Sequence, residues 1–141
     1  MKGTPVETAE ASSPVLFWKK ELRPDSGGQG RTRGGMGQMI EIESTRDLPF
    51  EIAAAFDRIQ FPPRGRDGGR NGANGYVGLG SGARLNGKGI QMVPAGERLI
   101  VLTPGGGGFG DPTSRDRAAV KADLDAELIS PATAQEVYGL S

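Results

Sequence analysis

The stretch Glu21-Leu22-Arg23-Pro24-Asp25-Ser26-Gly27-Gly28-Gln29-Gly30-Arg31-Thr32-Arg33-Gly34-Gly35-Met36-Gly37 decides how the rest of this chain reads. Six glycines stand among three arginines and one aspartate. With so many glycines and so few apolar side chains, its middle, Arg23 to Gly35, reads as a long turn joining regular elements. Upstream, Val15 to Leu22 carries Val, Leu, Phe and Trp ahead of Lys19 and Lys20 and predicts a strand. Downstream, Met36 to Glu43 alternates, with Ile40 and Ile42 opposing Glu41 and Glu43, the period of a half-buried strand.

A second glycine block, Thr103-Pro104-Gly105-Gly106-Gly107-Gly108-Phe109-Gly110-Asp111-Pro112, follows the most continuous apolar run of the chain, Leu99-Ile100-Val101-Leu102. That run predicts a buried strand, separated from another at Lys88 to Val93 by the turn Pro94-Ala95-Gly96. Phe50 to Phe61 is ambiguous and reads as a strand pair or bulged strand. Residues 62 to 89 hold ten glycines with little periodicity and read as one long connection. Residues 1 to 14 read as an extended polar lead-in. The tail from 114 to 139 changes character. Ser114 is a candidate cap for a helix reaching Leu128, Ser130-Pro131 opens another, and Gly139 sits where a helix-closing glycine belongs. The expected fold is α+β, mainly β: a single domain over 1–141, with a glycine-rich β body and two short C-terminal helices.

Composition narrows the function. With 24 Gly and 10 Pro in 141 residues, and Val, Ile, Leu and Phe making about a fifth of the chain, the core is thin and the ordering entropy large. Surface from a partner is the expected remedy. Seventeen basic and seventeen acidic residues cancel. Without surplus positive charge, the Arg-Gly stretch from Arg64 to Gly72 is a poor nucleic-acid binder. No Cys and no His are present, which excludes disulfides, thiolate zinc sites and histidine acid–base chemistry. No apolar run approaches the roughly 20 residues that cross a bilayer. Lys2 is followed by Glu7 and Glu10 rather than an apolar core, so a secretory signal is not indicated. A cytoplasmic protein, with no membrane or nucleic-acid partner, is expected.

Few residues qualify as a site. Gly105, Gly106, Gly107 and Gly108 can in principle present backbone amides to phosphate. The Gly-Lys-Ser/Thr ending of a P-loop is absent, and Asp111-Pro112 breaks a dinucleotide fingerprint, so a tight backbone crossing is the preferred reading. Arg31 and Arg33, near Arg23, are candidates for an anion clamp. A salt bridge is the preferred role for them, with Asp25 a possible partner. Asp57 with Asp67, and Asp123 with Asp125, are nominal acid–base or metal pairs. Nothing fixes their geometry, and the helical carboxylates read as a solvated face. No metal ligands and no catalytic residue are assigned.

The two glycine signatures resemble the C-terminal part of the hydantoinase B/oxoprolinase family, which includes the large subunits of ATP-dependent acetone and acetophenone carboxylases. The resemblance extends through Thr4-Pro5-Val6-Glu7, Asp57-Arg58 with Phe61-Pro62-Pro63, Leu102-Thr103-Pro104, Asp111-Pro112 with Arg115-Asp116, and Ile129-Ser130-Pro131 with Val137-Tyr138-Gly139. It implies an enzyme in which a hydantoinase A-like and a hydantoinase B-like subunit activate a carbonyl oxygen by phosphorylation, for ring opening or for ketone carboxylation. The long N-terminal portion of a B-like subunit has no counterpart here. The expectation is therefore a split-off small structural subunit, not catalytic alone, most similar to that of acetophenone carboxylase, which makes a β-keto acid. ATP and a divalent metal are expected elsewhere in a hetero-oligomer with large A-like and B-like subunits. An ATP-dependent hydantoinase or 5-oxoprolinase is the alternative, and a free-standing scaffold domain the remaining one.

Overall fold

The computed structural model describes residues 5–140; Lys2 and Thr4 of the polar lead-in lie outside them. The described residues form helix α1 (Val6–Ser12), strands β1 (Val15–Leu22), β2 (Gln38–Ser44), β3 (Phe50–Ala55), β4 (Tyr76–Leu79), β5 (Lys88–Val93) and β6 (Leu99–Leu102), and helices α2 (Arg117–Asp125) and α3 (Pro131–Glu136). A 3₁₀ turn, Pro112–Ser114, precedes α2. The mainly β class with C-terminal helices holds. No helix is long and apolar enough to cross a membrane among the described residues.

The chain divides into two compact units. The first combines residues up to Glu21 with Met39–Asp57 and Tyr76–Val101. Its larger sheet has the order β1-β2-β6-β4, which places the apolar run of β6 in the interior of the sheet. Leu99 and Val101 are buried there with Val77 and Leu79 of β4. Ile100 and Leu102 are only half-buried, so the strand is covered fully on one face and partly on the other. The second sheet pairs β3 with β5 antiparallel, Ala53 opposite Ile90 and Ala54 opposite Gly89. Across the larger sheet, Arg98 stacks over the Trp18 ring at 4.1 Å and pairs with Glu41 at 2.8 Å and Glu43 at 3.3 Å. The Trp18 indole also donates to Glu43.

The second unit comprises Leu22–Gln38, Arg58–Gly75 and the chain from Leu102 onward. Its apolar core is Val120, Ile129, Ala134 and Tyr138, with Leu124, Val137 and Leu140 packed against it.

Several sequence expectations need correction. The lead-in is not extended throughout: Val6–Ser12 is helical, because Glu and Ala favour a helix and Pro5 fixes its entry, and Glu10 then accepts from the Phe17 amide of β1. The Phe50 to Phe61 region yields one strand, ending at Ala55, and no second strand follows. The connection from 62 to 89 is not structureless, since it carries β4, whose Val77, Gly78 and Leu79 are all buried. Its glycines hid the strand; Gly78 lies where an added Cβ would meet the Tyr76 ring. Ser114 does not cap the long helix. Asp111 caps the 3₁₀ turn through the Thr113 amide, and Asp116 caps α2 through the Ala119 amide at 3.0 Å. The α2 helix stops at Asp125, short of Leu128. Ser130 does cap α3, with Pro131 behind it, and Gly139, at φ 64°, closes it as the Leu140 amide donates back to Ala134.

Candidate functional site

The two glycine signatures meet in the second unit. Asp25 adopts φ 57°, and this left-handed turn is held at both ends: its amide donates to Leu128 and its carboxylate accepts from the Ser130 amide at 3.0 Å. Ser26 is buried; its hydroxyl accepts from the Gly37 amide at 2.8 Å and donates to the Arg23 carbonyl. The Asp-Ser-Gly-Gly turn therefore ties together its own loop and the start of α3.

Behind it, three loops run backbone against backbone. The Gly28 amide donates to Gly106, Gly106 to Gly35, and Gly105 to Ala73. Gly108 donates to Arg70 and Gly110 to Arg66. Phe109 exchanges both bonds with Thr32, and Arg66 bridges its other side. This closeness explains the glycines: a Cβ on Gly105 would collide with the Ser26 carbonyl, and one on Gly34 with the Gly106 carbonyl. The amides of Gly105, Gly106 and Gly108 point at backbone carbonyls of the neighbouring loops.

The two candidate arginines part company. Arg31 is exposed, its guanidinium 5.7 Å from the centroid of the exposed Phe109 ring. Arg33 turns inward and grips Asp123 bidentately, Nε to Oδ2 at 3.0 Å and Nη2 to Oδ1 at 3.1 Å. Arg115 adds a third bond to Oδ2 at 2.8 Å and donates to the Arg31 carbonyl. Burial alone raises the Asp123 pKa, but the hydrogen bonds and charges of Arg33 and Arg115 overcome it and hold the carboxyl below its ordinary value. Tyr138 lies beside them, with Arg115 5.9 Å from its ring centroid. Burial pushes its phenol up, partly offset by the Gly30 backbone beside it, and its buried hydroxyl has no well-formed hydrogen bond.

These placements revise the expectations about carboxylates. Asp25 does not pair with the loop arginines; it serves the Ser130 amide. Asp123 is no surface residue, because its side chain is only 11% exposed, whereas Asp125 is exposed. Asp57 pairs with Lys88 at 2.6 Å. Among the described residues, no three His, Cys, Asp or Glu groups converge as metal ligands. Sequence reasoning missed Asp123, Arg115 and Tyr138 as a cluster. The available signal was the spacing of Val120, Asp123 and Leu124, which puts a carboxylate on the apolar stripe of α2 and so demands a buried partner.

This arrangement can clasp three segments together. It offers a saturated carboxylate and no nucleophile with a neighbouring base.

Comparison with known proteins agrees with the fold. The chain is 34% identical over 143 residues to caprolactamase subunit beta of Pseudomonas jessenii, covering 96% of this chain and 24% of that protein. It is 42% identical over 111 residues to 5-oxoprolinase 1 of Arabidopsis thaliana, covering 76% of this chain and 9% of that protein. The crystal structure of the ATP-dependent caprolactamase from Pseudomonas jessenii superposes with a TM-score of 0.75 at 30% identity, over 96% of this chain and 24% of that one. A nucleotide-free acetone carboxylase shares the fold with a TM-score of 0.71 at 22% identity, over 96% of this chain and 23% of that one. The chain thus spans a quarter or less of the length of these relatives. Residues 1–112 match the hydantoinase B/oxoprolinase family, glycine loops and all, and the chain belongs to that family.

Proposed function

We propose that this chain forms the C-terminal, non-catalytic part of a hydantoinase B-type subunit in an ATP-dependent enzyme that activates a carbonyl by phosphorylation. One observation carries this reading: most of the candidate anion-binding groups of the signature motifs are already bonded within this chain. The Gly105, Gly106 and Gly108 amides bond backbone carbonyls, and Arg33 bonds Asp123. As arranged, they do not fit a nucleotide phosphate, which supports ATP and a divalent metal being held by other parts of the assembly. Large A-like and B-like subunits are the partners this reading requires.

For the reaction, we infer ATP-dependent opening of a cyclic amide, a reading supported by similarity to a 5-oxoprolinase and to an ATP-dependent caprolactamase. The second reading is carboxylation of a ketone such as acetophenone to a β-keto acid, favoured by the fold shared with acetone carboxylase. The test uses the assembly purified through this chain from its own cell. Native mass spectrometry is expected to find large A-like and B-like partners, and a partnerless folded monomer refutes the proposal. Labelled bicarbonate then separates the reactions: incorporation into product marks a carboxylase, and ATP-dependent ring opening without incorporation marks an amide hydrolase.

A further inference from the structure

The β3–β5 ribbon carries apolar side chains on both faces. On one face Ala54 and Val93 are buried, while on the other Ala53 stands opposite Ile90 and Glu51 opposite Met92. On that open face Ile90 is 71% exposed and Met92 50% exposed. A strand wetted on one side normally alternates apolar and polar residues, and strands apolar on both sides are those covered on both sides. A two-stranded ribbon is also marginal unless something packs on it.

We propose that this open face is an interface, and that its occupant is the remaining portion of a hydantoinase B-type fold, whether carried on the same polypeptide or a separate one. The occupant is argued from the comparison: nearly all of this fold recurs at a TM-score of 0.75 within a caprolactamase chain of which it makes up 24%. The same fold therefore exists embedded in about three further quarters of protein, and an apolar face that no described residue covers is where such protein packs. The small Ala53 and Ala55 of β3 leave the face low beside Ile90 and Met92 of β5, suited to apolar contact, while Glu51 and Lys88 stand at its two ends. The inference rests on the proposed membership in a B-type subunit and names the surface that membership uses.

Because the chain contains no cysteine, single-cysteine labelling reads this face directly. Ala53→Cys and, as reference, Ala83→Cys in an exposed turn are compared in the native assembly and in the isolated chain, using a maleimide and identifying partners by mass spectrometry. With the B-type portion present, Ala53→Cys is expected to label more than about tenfold slower than in the isolated chain, with Ala83→Cys unchanged. Ile90→Asp is expected to weaken the association at least about tenfold. If the B-type portion is present but Ala53→Cys labels freely, the face is not the interface, and the proposed function stands without it. If a second copy of this chain protects the cysteine instead, the occupant is wrong. If no B-type portion accompanies the chain, the functional reading fails and this inference with it.

Discussion

Removing the Asp123 carboxylate tests the clasp most sharply. Asp123→Ala leaves the Arg33 and Arg115 guanidiniums, 14% and 13% exposed, facing each other without their shared anion. Three charge-assisted bonds of 3.0, 3.1 and 2.8 Å disappear together. At ~1.5–3 kcal/mol each, a simple sum overshoots, because such bonds are not additive and the arginines regain some water. Breaking a buried pair by deleting one partner costs about 3–5 kcal/mol, and the lower end applies here because both arginines keep backbone acceptors in Gly34 and Arg31. A domain whose whole stability is ~5–15 kcal/mol loses a large share of it, so the melting temperature should fall by roughly 10 °C or more. Urea unfolding of wild type, Asp123→Ala and the triple variant Arg33→Met, Asp123→Leu, Arg115→Met measures this. The triple variant, with no charge left to strand, is expected to recover at least half of the loss. A loss below about 1 kcal/mol in Asp123→Ala would refute the claim that the cluster holds the second unit together.

Acid should act on the same pair. The Asp123 pKa is lowered from its ordinary 3.8, so the carboxylate stabilises the folded chain above that value and the contribution is lost as pH falls through the lowered folded pKa. Urea midpoints measured from pH 7 to 3 are expected to decline more steeply below pH 4 in wild type than in the triple variant; parallel curves would contradict the assignment. Gly108→Ala pushes a methyl against the Gln29 and Gly28 carbonyls and is expected to cost about 3 kcal/mol or more, whereas Gly35→Ala meets nothing and should stay within about 0.5 kcal/mol. Equal melting temperatures for the two would sink the backbone-contact account. Trp18, the only tryptophan, reports on the first unit: Arg98→Ala removes its stacked guanidinium and should shift its emission to the red, and an unchanged spectrum would mean the stack is absent in solution.

Where residues carry periodic side chains, the sequence was readable. The β1 strand, the β5 and β6 strands and the capped α3 lie where Val15 to Leu22, Lys88 to Val93, Leu99 to Leu102 and Ser130-Pro131 put them. Elements whose evidence lies in the backbone were less so. The β4 strand has only four residues, one of them glycine, inside a glycine-rich stretch, and its partner β6 is supplied from twenty residues further on. The clasp was illegible for a different reason: Arg33 and Asp123 are 90 positions apart, and single-sequence reasoning sees charges without their distances. The glycine signatures were recognisable as a family mark, yet their physical role, loops crossing at backbone distance, needed the carbonyls of Ser26 and Gly106 in view.

Those crossing loops also set an order of events during synthesis. The Gly28 amide waits for Gly106, the Arg70 carbonyl for Gly108, and Arg33 for Asp123, so each loop emerges from the ribosome long before its partner exists. A nascent chain carrying only residues to about 100 has neither the second glycine block nor the aspartate, and its Asp-Ser-Gly-Gly turn has lost its hold on Leu128 and Ser130. Contacts of such separation close late and slowly. The second unit is therefore completed only after translation has passed α2 and α3, and a ribosome stalled before Gly105 carries a chain whose signature loops are still open.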